Sequence, residues 1–88
     1  MRVKENLILK EMGTEYVVVP VGEGLLDFQV MLTLNDTGAF LWNALKEETT
    51  FDNVVSDLTK EYDVAKETAE QDIKEFIDIL SSKDLIVL

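Results

Sequence analysis

The side chains able to do chemistry in this chain are almost all carboxylates. Eighteen Asp and Glu stand among 88 residues, against eight Lys and Arg, with neither Cys nor His. Without Cys there is no disulfide, thiolate nucleophile or iron–sulfur ligand; without His the usual zinc sites and the commonest general base near neutral pH are lost as well. Paired carboxylates can act as acid and base, but on a small acidic surface they are ordinarily solvated. The composition therefore points to a binding protein with no cofactor, not to an enzyme. The net charge of −10, with twelve acids against five bases in residues 46–84, repels a phosphate backbone. The same charge attracts a basic peptide or a basic patch on another protein.

If the function is binding, its surface must come from the elements. At 47% hydrophobic, 88 residues suit one small domain with a single core. No apolar run approaches the roughly 20 residues that span a bilayer, and the N-terminal MRVKENLILKE has no signal-peptide core. A cytoplasmic location is expected. The β-rich runs 6–12 and 15–21 flank Gly13–Thr14, the signature of a tight hairpin, and Pro20 belongs at a strand end or an edge. After a looser connection at 22–27, residues 28–34 (FQVMLTL) read as a third strand. Alternation places Phe28, Val30, Leu32 and Leu34 toward the core and Gln29, Met31 and Thr33 on the other face.

Three helices follow. The first covers about 36–46, with Asn35 or Asp36 as its cap, and Gly38 lets its first turn approach the sheet. Its adjacent Phe40, Leu41 and Trp42 imply packing on several sides. The second runs from about Phe51 to Tyr62 behind Thr50, with Phe51, Val54, Val55, Leu58 and Tyr62 in one stripe. The third spans about Lys66 to Lys83, with Ala69, Ile73, Phe76, Ile77 and Leu80 as its stripe and Ile79 to one side, on the face of Asp72 and Glu75. The final LIVL reads as a short strand or an extended tail on the core. Strands first and helices afterwards give an α+β domain with an antiparallel sheet, too small to close and so left with open edges.

An open edge accepts an extended peptide as an added strand, and an apolar helix beside it supplies pockets. The alternatives are an edge capped by the chain's own C-terminal strand or by a second copy in a homodimer. A helix-turn-helix built from the last two helices fits their short connection. DNA reading does not fit, because the last helix opens Lys66-Glu67-Thr68-Ala69-Glu70-Gln71-Asp72. An acyl-carrier role fails too, since Ser56-Asp57-Leu58 has the wrong order and lies in mid-helix.

The block Leu34-Asn35-Asp36-Thr37-Gly38, followed by Trp42, resembles the family of pyrroloquinoline quinone biosynthesis protein D (PqqD). Thr50, Tyr62 and Val64 continue the likeness, then Asp72, Ile73, Phe76 and Leu80, over about residues 6–88. Ala65 departs from it, where a polar cap is expected, and so does the apolar Leu25–Leu26 in the connection. The resemblance implies a winged helix-turn-helix with a small N-terminal sheet: three strands, then three helices. It implies a non-catalytic recognition element that binds the leader of a ribosomally made precursor peptide. The leader would be presented to a maturation enzyme, a radical S-adenosylmethionine or cyclising enzyme, without nucleic acid or membrane.

In that likeness the leader adds as a strand antiparallel to the third strand, in a groove against the third helix. Carried onto this chain, the peptide-binding residues are Phe28, Gln29, Val30, Met31, Leu32 and Thr33 on the strand, and Asp72, Glu75, Phe76 and Ile79 on the helix. Met31 and Gln29 leave the core-facing row, and Asp72 and Glu75 suit Lys or Arg in the leader. Met31→Pro tests the geometry if the Met31 N–H faces the leader. The alternative function is a winged-helix regulatory or scaffold domain with a protein partner.

Overall fold

A computed structural model describes residues 1–21 and 30–88. In chain order the elements are β1 (Arg2–Val3), β2 (Leu7–Met12), β3 (Glu15–Pro20), β4 (Leu32–Leu34), α1 (Asp36–Ala44), α2 (Phe51–Glu61), α3 (Lys66–Ser82) and β5 (Ile86–Val87). β2, β3 and β4 form an antiparallel sheet in that order, so β4 is the third strand of the sequence reading. The fold is α+β, with three strands followed by three helices. The expected connection at 22–27, and the strand residues Phe28 and Gln29, lie outside the described residues.

The hairpin turns on Gly13 at φ +67°, a left-handed conformation that glycine adopts without strain. It leaves a two-residue loop between the paired Met12 and Glu15. Asn35 caps α1 by accepting from the Gly38 amide at 2.8 Å. Thr50 caps α2 in the same way, accepting from the Asn53 amide at 3.2 Å. Ala65 makes no side-chain cap to α3. The close approach expected at Gly38 is present: a Cβ there would lie 3.0 Å from Leu34 Cδ2 and 3.1 Å from Leu34 Cβ.

Trp42 and Leu45 from the α1 end, Val54 and Leu58 from α2, Ile73 and Leu80 from α3, and Val18 from β3 are fully buried together. Helix α1 thus carries the centre of the core. Phe40, its outer aromatic, meets Tyr62 edge-on with ring centroids 5.6 Å apart. The Trp42 indole N–H finds no acceptor among the described residues, so packing alone holds the ring.

Two features were not legible beforehand. Arg2–Val3 pairs with Ile86–Val87 as a separate two-stranded sheet. Helix α3 ends without glycine: Asp84 takes φ +58°, the Leu85 amide bonds the Leu80 carbonyl at 2.9 Å and the Asp84 amide bonds Ser81 at 3.1 Å. This double bond pattern, with buried Leu85 beside Leu80, is a Schellman stop that sends the chain back toward β1.

A candidate peptide groove beside the β4 edge

The hairpin decides which backbone groups of β4 are free. In a two-residue hairpin the closing residues, Met12 and Glu15, form a hydrogen-bonded pair, and bonded pairs then alternate along the ladder. Lys10–Val17 and Ile8–Val19 share that character, and the Val21 amide extends the series by donating to the Asn6 carbonyl at 2.7 Å. The odd residues of β3 therefore point their polar groups at β2, and Tyr16 and Val18 point theirs at β4. Their register partners are Leu34 and Leu32. Leu32 and Leu34 spend their N–H and C=O groups on β3. Thr33, between them, directs both of its groups to the outer edge, where no strand lies among the described residues.

Upstream the ladder breaks. The Met31 amide donates to the Val18 carbonyl at 2.8 Å, although Val18 is already the partner of Leu32. Met31, just before β4, and Leu32 thus both face Val18, which is a bulge at the start of the strand. Pro20, the next residue of β3 to face this side, has no N–H to offer, so regular pairing could not continue there.

The bulge corrects the alternation expected from sequence. Met31 and Leu32 both pack, half-buried, against the core, whereas Val30, expected on the core face, is 51% exposed. It also settles the condition attached to Met31→Pro. The Met31 N–H faces β3, so that substitution breaks an internal bond and does not report on the outer edge.

Where β4 runs into α1, an open groove of about 360 Å³ lies between α1 and α3, its lining beginning at Asn35, the residue after β4. Asn35, Thr37, Gly38 and Leu41 form its wall on the α1 side, and Asp72, Glu75, Phe76 and Ile79 form the α3 wall. All four helix residues singled out in the sequence therefore meet in one groove. Ile79 is 46% exposed, while Phe76, which also lines the groove, is buried. Neither Asp72 nor Glu75 forms an ion pair among the described residues. One Glu75 oxygen accepts from Gln71 Nε2 at 3.0 Å.

The groove adjoins the core-facing side of β4, because Gly38 in its wall rests against Leu34. None of the α1-side residues was expected in the groove: Thr37 stood in the family-like block, Leu41 among the packing residues of α1, and Asn35 and Gly38 as its cap and close approach. The available signal was helical spacing, which puts positions 37, 38 and 41 on one face of α1.

Other features of the surface lead elsewhere. The carboxylates of Glu11, first, and Asp36 hold the Tyr16 phenol above the usual tyrosine range. Among the described residues no cluster of acidic side chains is arranged to hold a metal, and no helix is long and apolar enough to cross a membrane.

Comparison with known proteins agrees with this architecture. The family described as coenzyme PQQ synthesis protein D (PqqD) matches residues 15–86. A solved structure, "TbiB1 in Complex with the TbiA(beta) Leader Peptide", shares the fold with a TM-score of 0.74 and 24% identity. The match covers 97% of this chain and 93% of that one. No curated protein matches the chain.

Proposed function

The chain belongs to the PqqD family, and on that premise we propose that it binds the leader of a ribosomally made precursor peptide and presents it to a modifying enzyme. The leader adds as a strand to the outer edge of β4 and lays alternate side chains in the groove against α3. The observation that carries this reading is the juxtaposition of an edge residue with both polar groups turned outward, Thr33, and a groove with apolar and acidic walls beside it. TbiB1, which shares the fold, forms a complex with a leader peptide, and this supports the same class of ligand here. The role is recognition without catalysis, in the cytoplasm, and the partner enzyme is of a radical S-adenosylmethionine or cyclising type.

Backbone hydrogen bonds supply the general affinity in strand addition, and pockets for alternate side chains supply selectivity. The test is a titration of isotope-labelled protein with the leader segment of its precursor, followed by amide chemical shifts. Shifts are expected at Thr33 and its neighbours on β4 and along α3. Shifts confined to α2, or no saturable binding, refute the reading.

A further inference from the structure

The groove and the β4 edge together restrict the sequence that can bind, and this inference rests on the peptide-binding reading above. Thr33 is the one β4 residue whose N–H and C=O both face outward within the regular ladder, with the Met31–Leu32 bulge on one side and the start of α1 on the other. An added strand therefore has one residue that can exchange two hydrogen bonds with Thr33. Cross-strand neighbours share a face, so that residue's side chain lies beside the Thr33 side chain, on the face away from the helices. The residues just before and after it share the face of Leu32 and Leu34. The Gly38–Leu34 contact places the groove on that same face.

The walls then state what those residues must be. Ile79 presents apolar surface that is 46% exposed, and the buried Phe76 and Leu41 line the same groove. Asp72 and Glu75 stand exposed on the same wall, without an ion-pair partner among the described residues. A peptide carboxylate entering here meets like charge, in a chain that already carries −10.

We propose that the chain reads its peptide in one register, set by Thr33, and selects a segment whose alternate residues are two large apolar side chains and one Lys or Arg. The apolar pair brackets the residue bonded to Thr33 and packs toward Ile79 and Phe76. The cationic residue has the same parity along the strand and pairs with Asp72 and Glu75. The intervening residues face away from the groove and are free to vary.

A display library of random 12-residue peptides, selected on the full chain, tests the pattern directly. Enriched peptides are expected to carry apolar residues at i and i+2 and a Lys or Arg at a further position of the same parity. Helical spacing, i and i+3 or i+4, or enrichment of Asp and Glu at those positions, overturns the proposal while leaving peptide binding intact. Failure to enrich any peptide instead overturns the peptide-binding reading, and the proposal with it.

Two measurements on a synthetic peptide from the selection complete the test. Amide hydrogen exchange should show Thr33 newly protected on binding, with Leu32 and Leu34, already bonded to β3, little changed. New protection at Leu32 or Leu34 in place of Thr33 refutes the register. Selection repeated on the Asp72→Asn, Glu75→Gln double variant should still return the i, i+2 apolar pair and lose the Lys or Arg. The affinity cost for a cationic peptide is about two- to fivefold per lost pair, as expected for exposed ion pairs. An unchanged preference for Lys or Arg in that variant refutes the charge assignment.

Discussion

Ile79→Ala separates a groove residue from a residue of the core. Complete burial of an isoleucine side chain contributes about 1.5–3 kcal/mol relative to full exposure. With 46% of Ile79 still exposed, covering the remainder with peptide is worth about half of that, or about 0.7–1.4 kcal/mol. Truncation should therefore weaken peptide binding by about three- to tenfold, since 1.4 kcal/mol is a factor of ten in Kd. The folded protein loses the packing of the buried half and regains a few tenths of a kcal/mol from the better helix propensity of alanine. Its stability should fall by no more than about 1 kcal/mol.

The matched control is Ile8→Ala on β2, which removes an isoleucine of similar exposure, 43%, far from the β4 edge in the sheet order. Isothermal titration with a peptide recovered by selection gives Kd, and urea denaturation gives stability. Ile79→Ala should move the first measurement more than the second, and Ile8→Ala should leave Kd within about twofold of the parent, since it loses no peptide contact. Equal Kd changes for the two variants, or none for Ile79→Ala, refute the groove as the binding surface.

Three further outcomes follow from the geometry. Gly38→Ala places a methyl 3.1 Å from Leu34 Cβ, an atom that cannot rotate away. Overpacking of about 1–3 kcal/mol should outweigh the helix-propensity gain of about 1 kcal/mol, giving a net loss read by thermal denaturation; a rise in Tm contradicts the close approach. In a Tyr62→Phe background, near-ultraviolet absorbance should show Tyr16 ionising above the usual tyrosine range, and Glu11→Gln should lower the midpoint. Because folding raises this pKa, its stabilising contribution is present below the ionisation of a free tyrosine and is lost as pH rises through the folded value. Duplex DNA should not bind at physiological salt, and saturable, sequence-selective binding would overturn the charge argument.

Local rules made much of the architecture readable before any coordinates. The hairpin at Gly13–Thr14, the caps at Asn35 and Thr50, the uncapped start of α3 and the stripe of α2 depend on residues within a few positions of one another, where backbone sterics and side-chain reach act directly. The off-stripe position of Ile79 and its company with Asp72 and Glu75 came from the same periodicity. The Schellman turn at Asp84 was hidden because it lacks the usual glycine, and the β1–β5 pair because its partners lie at opposite ends of the chain.

The sequence by itself determined the order of elements, the acidic character and the helix face that lines the groove, because each is a property of composition or of spacing within one element. Tertiary structure decided which way each edge amide points. Simple alternation put Val30 in the core and Met31 off it. The bulge opposite Val18 buries half of Met31 and exposes Val30, and the parity inherited from the hairpin turns the Thr33 amide and carbonyl outward. The physical reason is that strand parity is set by the partner strand, here through a hairpin anchored some twenty residues earlier and a proline that withholds the next donor. The α1 wall was decided in the same way: Thr37, Gly38 and Leu41 face Asp72 and Ile79 only because both helices close over one core.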